Sequence, residues 1–250
     1  GEVSGTIDES IRHAMTKFSN FHFTANNESK LRLIKMGEVP KNIFPVGCPS
    51  IDALKNEKDL DHGKILKKFK IDIKKKYLLV IQHPVTSELS KSSKQFMETI
   101  SALKKFKIQH LIIFPNNDAG AYKIVRLLIK SKLNYVKSLN LREYKTLLKH
   151  CSALVGNSSS GIHEAASFKI PVVNIGTRQQ GRLKPKNIIT SGYSKAQIYS
   201  AIKRATSNSF KKKMHNLVNP YGDGKSAKKI ISIIKKFNLR KFNTQKKITY

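Results

Sequence analysis

Groups of polar residues that can bind an anion follow four short apolar segments of the chain. The groups begin at Gln82, Pro115, Gly156 and Gly176, and they contain histidine, asparagine, serine and arginine. If the apolar segments are parallel strands, their carboxyl ends meet at one edge of a sheet, where open α/β sheets bind ligands. The sequence therefore predicts a single cleft to which all four groups contribute.

The serine-rich group 157–161 has the composition of a phosphate-binding loop. Ser158 and Ser159 supply hydroxyls, and the free backbone N–H groups at the start of the following helix attract negative charge. The group has neither the GKS or GKT of a Walker loop nor the GxGxxG of a dinucleotide fold. An ordinary helix N-cap is the alternative, but one serine would suffice for it, so three serines in a row favour a ligand.

Three further residues can complete a site for a nucleoside diphosphate. Glu164 lies about one helical turn after the serines, where its carboxylate can accept hydrogen bonds from a ribose diol or belong to a capping box. Arg178 has the fork of donors that matches a phosphate, with a surface arginine as the alternative. His83 precedes a proline at a strand end, where it is either catalytic or structural, and Asp118 can cap a helix that starts at Ala119.

Strands and helices that would position these residues alternate along the sequence. Apolar strand patterns are followed by helical patterns, in which apolar residues recur every three or four positions. The strand patterns cover residues 21–25, 43–47, 77–81, 111–114, 135–139, 153–156, 172–175 and 187–190, and the helical patterns cover 28–37, 92–106, 119–131, 141–150, 195–206 and 225–237. Such alternation predicts an α/β fold with a doubly wound parallel sheet.

The distribution of these patterns divides the chain into three regions. Residues 51–222 contain enough strands for a complete Rossmann-like domain that would bind the nucleotide. Residues 1–50 contain two strands and are interpreted as the C-terminal part of an incomplete N-terminal Rossmann-like domain. Residues 223–250 hold a helix and a basic tail. Because the chain starts with glycine and lacks the features of a signal peptide, we expect an N-terminal truncation.

The composition is that of a globular protein with a large positive charge. Hydrophobic residues make up 39% of the 250 residues, which excludes a disordered chain, and the formal net charge is +32. No apolar run approaches the ~20 residues of a membrane span. The charge first suggests a nucleic-acid partner. However, aromatic residues do not alternate with the lysine runs as a stacking surface requires, so solvated surface lysine is the preferred interpretation.

Four sequence blocks resemble the hydrolysing UDP-N-acetylglucosamine 2-epimerase family, in the branch that supplies N-acetylmannosamine for sialic acid synthesis. The blocks are GEVSGTIDESIRHAMTKFSNFHF, QHPVTSE, PNNDAG and GNSSSGIHEAASFKIPVVNIGTRQQGR, and the resemblance extends over residues 1 to about 235. The last block is the most specific. The resemblance implies two Rossmann-like domains of the GT-B glycosyltransferase type, the N-terminal one incomplete, with the nucleotide held mainly by the C-terminal domain.

The resemblance also implies roles for individual residues. UDP would be contacted by His83, Asn116, Leu139, Ser158, Ser159, Glu164 and Arg178, with Leu139 near the uracil through its main chain. Catalysis would involve one histidine and three carboxylates: His83, Glu2, Asp8 and Glu9. The implied reaction is an anti elimination of UDP to a 2-acetamidoglucal, which water then converts to N-acetylmannosamine.

That chemistry needs a base for the weakly acidic C2 proton and cationic groups for the departing pyrophosphate. The base stays unassigned among the carboxylates, because Asp8 and Glu9 can also cap the helix that holds Arg12 and His13. The family's first strand–helix units would precede Gly1 and supply further cleft residues. We therefore expect this chain alone to bind UDP weakly and to catalyse poorly or not at all.

The expected partners are a UDP-sugar substrate and, in a full-length protein, further copies of the same chain. We expect no cofactor, no metal, and no nucleic-acid or membrane partner. Cys48 and Cys151 lie far apart without a CxxC motif, which argues against structural zinc and fits a cytoplasmic location.

Three alternative functions stay open from the sequence. The first is the same reaction on a UDP-2,4-diacetamido-trideoxyhexose, on the route to legionaminic acid. The second is a retaining glycosyltransferase of the same architecture. The third is a basic nucleic-acid-binding protein, whose binding would fall steeply with salt and would not respond to UDP.

Overall fold

Two parallel sheets organise the computed structural model, which describes residues 1–6, 8–72, 74–237 and 245–246. The smaller sheet pairs β1 (His22–Thr24) with β2 (Ile43–Pro45). The larger sheet contains β3 (Tyr77–Ile81), β4 (Gln109–Ile113), β5 (Tyr135–Val136), β6 (Ala153–Gly156), β7 (Val172–Ile175) and β8 (Ile188–Ser191). Its strand order is β5-β4-β3-β6-β7-β8, and all its pairings are parallel.

This order is that of a doubly wound Rossmann sheet. The chain builds outward from β3 to β5 and then crosses back to continue from β6 to β8 on the other side. The direction of winding reverses between β3 and β6, and Ile81 pairs with Gly156 at the carboxyl end of that pair. In such sheets the ligand crevice lies at this reversal.

Helices cover both faces of the larger sheet, and the helix Asn27–Lys35 packs against the smaller one. They are α1 (Asp8–Phe18), α2 (Asn27–Lys35), α3 (Pro49–Asn56), α4 (His62–Lys68), α5 (Ser92–Phe106), α6 (Ala121–Ser131), α7 (Leu141–His150), α8 (Ser159–His163), α9 (Lys195–Ala205), α10 (Asn208–Lys212) and α11 (Ser226–Ile234). Single 3₁₀ turns lie at Pro40–Asn42, Thr86–Lys91 and Ala165–Phe168. None of the described helices is long and apolar enough to span a bilayer.

The wholly apolar sequence of β3 is explained by burial on both faces. Leu78 and Val80 belong to the core that α5, α6 and α9 form on one face of the sheet. Leu79 and Ile81 belong to the core under α4 and α7 on the other face. The buried side chains alternate between the two cores, as the two-residue period of a strand requires.

The C-terminal helix α11 packs back onto the N-terminal part of the chain. The backbone N–H of Ala227 donates to Asp52 Oδ2 at 2.8 Å. The ring of Phe237 lies 4.4 Å from that of Phe21 and 5.8 Å from that of Phe44. The region boundaries at residues 51 and 222 remain predictions, and residues 238–244 and 247–250 of the predicted basic tail lie outside the described residues.

The predicted strands and long helices are present, with some shifted ends. The strand prediction over 135–139 is too long: β5 is an edge strand, and its ladder stops where Val136 meets Ile113, the last residue of β4. The helix predicted from residue 119 begins at Ala121, after Gly120 at φ 88°. The patterns missed α3, α4 and α10, because five to eight residues are too few to show a helical period.

Candidate functional site

Glycine is required where β6 ends at the crevice. Gly156 has φ 133°, and a Cβ at this position would lie 1.9 Å from the carbonyl oxygen of Ile81. Because only glycine tolerates both this conformation and this contact, the backbones of β3 and β6 can run close together at their carboxyl ends. The polar residues that follow the two strands are thereby brought side by side.

Asn157 connects the segments that follow β3, β6 and β7. Its side chain is buried; Oδ1 accepts the backbone N–H of His83 at 2.7 Å, and Nδ2 donates to the carbonyl of His83 at 2.9 Å. Its own carbonyl accepts hydrogen bonds from Gln179 Nε2 at 2.7 Å and Arg178 Nη1 at 3.3 Å. One buried residue therefore fixes the relative positions of three strand ends.

His83 is a neutral imidazole at the ends of β3 and β4. Its Nδ1 accepts the backbone N–H of Asn116 at 3.0 Å, which leaves the ring hydrogen on Nε2. Burial and the positive charge of Arg178 lower the pKa of His83 to about 4, although Asp118 acts in the opposite direction. At neutral pH, His83 can therefore donate one hydrogen bond from Nε2 without carrying a charge.

Arg178 is a buried guanidinium whose donors are only partly used. Its side chain is 12% exposed, and Nη2 lies 3.5 Å from Asp118 Oδ2. Its Nε is buried and has no hydrogen-bond partner among the described residues. Burial lowers the pKa of Arg178, while the carboxylate of Asp118 raises it. An anion in the crevice would satisfy the unused donors, which are costly to leave unpaired.

Asp118 does not cap a helix through its side chain, so that interpretation was wrong. α6 begins two residues later than expected, and the carboxylate of Asp118 is directed to Arg178 instead. The backbone carbonyl of Asp118 accepts the N–H of Ala121 at 3.0 Å.

The three serines before and within α8 have different environments. Ser158 is the N-cap, and its Oγ accepts the backbone N–H of Ser160 at 3.3 Å, as the capping interpretation predicted. The Ser160 hydroxyl is hydrogen-bonded to the Tyr144 hydroxyl. Ser159 Oγ has no partner within the part of the chain that the structure describes. Capping therefore accounts for Ser158 and leaves the hydroxyl of Ser159 available.

Glu164 follows α8 and is mostly enclosed by protein. Burial raises the pKa of its carboxyl, although a hydrogen bond from Ser50 and the charge of His163 oppose this shift. The capping-box interpretation of Glu164 was wrong, because Gly161 occupies the third position after the Ser158 N-cap.

The surroundings of Glu164 include the hydroxyl of Tyr144. Burial and the nearby charge of Glu164 raise the pKa of that hydroxyl. Leu139 lies three residues beyond the end of β5, and it packs against the same apolar cluster as Tyr144. Glu164 and the Tyr144 hydroxyl are thus neighbours, whereas Leu139 shares with Tyr144 only the large apolar cluster on that face of the sheet.

Glu2 contacts the C-terminal part of the chain directly. Its Oε1 accepts a hydrogen bond from His163 Nε2 at 2.7 Å, and its Oε2 lies 3.3 Å from Arg182 Nη2. Burial acts to raise the pKa of Glu2, but the hydrogen bond from His163 and the charges of Arg182 and Arg12 lower it below its ordinary value. Glu2 is therefore an ionised carboxylate at neutral pH.

Asp8 and Glu9 lie in the first turn of α1, where negative charge is favourable. Glu9 Oε2 accepts the backbone N–H of Ser4 at 3.0 Å, and this bond lowers the pKa of Glu9. Asp8 Oδ2 accepts the hydroxyl of Thr6 at 3.0 Å. These contacts support the local, helix-stabilising interpretation. Asp8 also lies near enough to Arg178 for its charge to raise the pKa of that guanidinium.

The segments that carry His83, Ser159 and Arg178 thus meet around Asn157. Asn116 joins them through its backbone N–H, and the N–H of Gly5 donates to the carbonyl of Arg178 at 3.2 Å.

Sequence reasoning missed four residues that hold the site together: Asn157, Tyr144, His163 and Gln179. Only Asn157 carried a signal, as a polar residue directly after a buried strand; nothing distinguishes buried Gln179 from exposed Gln180 in the sequence. In the described part of the chain, no three His, Cys, Asp or Glu side chains form a group that could hold a metal ion.

Comparison with known proteins identifies relatives over nearly the whole chain. A sequence model of the UDP-N-acetylglucosamine 2-epimerase family matches residues 1–235. The UDP-N,N'-diacetylbacillosamine 2-epimerase (hydrolyzing) of Legionella pneumophila is 36% identical over 240 residues, which cover 94% of this chain and 62% of the relative. The UDP-N-acetylglucosamine 2-epimerase of Neisseria meningitidis serogroup B is 35% identical over 210 residues, 83% of this chain and 55% of the relative.

A solved structure shows the same fold. The crystal structure of UDP-GlcNAc 2-epimerase from Neisseria meningitidis bound to UDP-GlcNAc matches with a TM-score of 0.79 and 20% identity, covering 92% of this chain and 65% of that chain. At this identity the likeness concerns the fold alone, and it confirms the predicted fold class. The chain spans 55% to 62% of the length of the two curated relatives.

Proposed function

The chain belongs to the UDP-N-acetylglucosamine 2-epimerase family, and from that membership we propose that the crevice around Asn157 binds the UDP part of an N-acetylated nucleotide sugar. We further propose that its residues take part in the hydrolysing 2-epimerase reaction, which releases UDP and the C2-inverted free sugar. The observation that carries the proposal is the mostly buried guanidinium of Arg178, whose Nε has no partner among the described residues and whose charge acts on the neutral ring of His83.

In the proposed complex, the diphosphate lies against Arg178 and Ser159. Arg178 supplies a positive charge and two-pronged hydrogen bonding, and Ser159 supplies a hydroxyl that capping does not use. The carboxylate of Glu164 accepts hydrogen bonds from the ribose hydroxyls, and the main chain of Leu139 borders the uracil. The support for the role of Glu164 is the family resemblance together with its position near the Tyr144 hydroxyl, and the support for the role of Leu139 is the family resemblance.

The elimination step breaks two bonds of the substrate. A carboxylate removes the C2 proton, the C–H electron pair forms the C1–C2 double bond, and the C1–O bond breaks with its electrons on the UDP oxygen. Charge then develops on the departing pyrophosphate. Arg178 and the Nε2–H of His83 stabilise that charge. His83 carries no charge at neutral pH, but its N–H can still donate a hydrogen bond to the pyrophosphate in a partly desolvated site.

Hydration of the 2-acetamidoglucal completes the reaction. Water adds across the double bond, with its oxygen on C1 and a new proton on the opposite face of C2. Glu2, Asp8 and Glu9 are the candidate proton carriers. Glu2 is favoured by its position against His163 and Arg182, both of which follow strands that border the crevice.

For the sugar we propose a substrate class and, within it, two candidates. An N-acetylated hexosamine linked to UDP is the substrate class, and UDP-GlcNAc in the sialic acid branch is the first candidate. The Legionella pneumophila relative favours a diacetylated sugar as the second candidate, because its identity of 36% is no lower than that of the UDP-GlcNAc enzyme at 35%.

Product analysis in D₂O tests the proposed reaction. With a full-length protein and either UDP-GlcNAc or UDP-N,N'-diacetylbacillosamine, we expect UDP and a free C2-inverted sugar that carries one deuterium at C2. The substrate with the higher kcat/KM decides between the two sugars. A glycoside product, or a free sugar that keeps its original C2 hydrogen, would contradict elimination. UDP binding is measured in parallel, so that absence of turnover is distinguished from absence of the nucleotide site.

A further inference from the structure

A cavity of about 520 Å³ lies at the edge of the larger sheet opposite to the candidate site. Its lining includes Cys151, Ile170 and Pro171, which come just before β6 and β7. The candidate site follows the carboxyl ends of the same strands. Four residues of extended chain span roughly 13 Å, so the sheet separates the two places.

Lysines surround this cavity. Lys149, Lys169, Lys211 and Lys212 all contribute to its lining. Lys149 Nζ lies 2.7 Å from Asp59 Oδ2, and Lys169 Nζ donates to the backbone carbonyl of His215 at 2.6 Å. For Lys211 and Lys212, no hydrogen bond or ion pair of the ammonium group is present among the described residues.

Negative charge is scarce around these lysines. No carboxylate lines the cavity, and between residues 151 and 250 the only acidic residues of the sequence are Glu164 and Asp223. Lys149 is paired with Asp59, but the other three lysines have no carboxylate partner among the described residues, so repulsion between their ammonium groups is little compensated. A bound polyanion would remove that repulsion and gain several charge-assisted hydrogen bonds.

Apart from the four lysines and His215, the lining is apolar. Ile170, Pro171 and Met214 are part of it, and burial raises the pKa of the Cys151 thiol to about 12, so it stays protonated. A volume of this size accommodates a small organic ligand. The combination of an apolar wall with flexible ammonium groups suits a phosphorylated small molecule, because lysine binds phosphate as an adaptable point charge.

We propose that this cavity is a second anion-binding site, separate from the crevice around Asn157, and that it takes the polyphosphate group of a small molecule. The proposal does not depend on the reaction assigned to the crevice. The polyphosphate can be free inorganic polyphosphate or the phosphate tail of a nucleotide, and two probes distinguish these sources.

Calorimetric titration with inorganic tripolyphosphate and with ATP, at about 0.15 M salt, tests the proposal. We expect one bound tripolyphosphate per chain at this site. The double variant Lys211→Ala/Lys212→Ala should weaken the binding of both probes about tenfold or more, the scale of losing a charge-assisted hydrogen bond. Tighter binding of ATP than of tripolyphosphate would identify a nucleotide as the source; equal binding would identify the phosphate chain alone.

The matched control is Lys235→Ala/Lys236→Ala, which removes the same charge from another adjacent and exposed lysine pair. We expect this control to change tripolyphosphate affinity by less than about twofold. Equal weakening by both lysine pairs would overturn the proposal in favour of diffuse attraction to the net charge of +32. Absence of tripolyphosphate binding at this salt concentration would also overturn it.

Discussion

The guanidinium of Arg178 has one buried donor without a partner among the described residues, donates to the Asn157 carbonyl at 3.3 Å and lies 3.5 Å from the Asp118 carboxylate. A bound diphosphate would supply a full counter-charge. We therefore expect Arg178→Ala to weaken UDP binding by about 1–3 kcal/mol, roughly 5- to 150-fold in Kd. Calorimetry measures this loss, and Arg126→Ala on the exposed surface of α6 is the control for net charge. Equal losses in the two variants would show that UDP responds to overall charge rather than to the crevice.

The lowered pKa of His83 predicts that the stability of the protein decreases as the solution becomes more acidic. The pKa of His83 is about 4 in the folded protein, and about 6.5 is expected in the unfolded chain. Between these values the unfolded chain binds a proton that the folded chain does not, so acidification favours unfolding. We expect the free energy of unfolding to fall from about pH 6.5 towards pH 4, and to fall less in His83→Gln.

Urea unfolding at about pH 7 and about pH 5 measures this difference. Carboxylates that titrate in the same range contribute equally to both proteins, so the difference between them isolates His83. An identical loss of stability in the wild type and in His83→Gln would contradict the depressed pKa.

At the scale of residues, the sequence allowed a candidate site residue to be proposed where its side chain can itself bind phosphate or transfer a proton. His83, Ser159 and Arg178 were identified because imidazole, hydroxyl and guanidinium groups match phosphate binding and proton transfer. Asn157 was not assigned a role, because its amide holds the main chain of a residue 74 positions away. No local pattern shows such a partner before the strands are arranged.

At the scale of elements, several helices and turns end at a residue whose backbone is in the left-handed conformation. Among the described residues, four lysines have positive φ: Lys70, Lys107, Lys132 and Lys169. Lys107 follows α5 at φ 51° and ψ 28°, a left-handed conformation that costs an L-residue about 1–2 kcal/mol and that glycine adopts freely.

We expect Lys107→Gly to raise the free energy of unfolding by about 1 kcal/mol, because the left-handed strain is removed. Lys104→Gly, three residues earlier and inside α5, should lower it by about 1 kcal/mol, because glycine disfavours a helix interior. Chemical denaturation measures both. Changes of the same sign would show that the conformation of Lys107 carries no strain.

Element prediction succeeded where the periodic pattern was long and buried. α5 and α7 occupy the predicted residues, since their apolar positions repeat over ten or more residues. The limits of β5 could not be predicted, because they depend on where its single neighbour β4 ends. The short helices α3, α4 and α10 depend on packing rather than on a repeating pattern of their own.

At the scale of the whole molecule, strand order determines which polar groups meet. The four groups that begin at Gln82, Pro115, Gly156 and Gly176 follow β3, β4, β6 and β7, which are adjacent in the order β4-β3-β6-β7. The sequence predicted parallel strands but not this order, since pairing of β3 with β6 joins residues more than seventy positions apart. Once that pairing forms, the four groups must share one edge.

A crystal structure of the protein with UDP tests the shared nucleotide site most directly. We expect the diphosphate within hydrogen-bond distance of the Arg178 guanidinium and Ser159 Oγ, and the ribose hydroxyls at the Glu164 carboxylate. UDP bound away from the ends of β3 and β6, with Arg178 still contacting Asp118 and the Asn157 carbonyl, would contradict the proposed site.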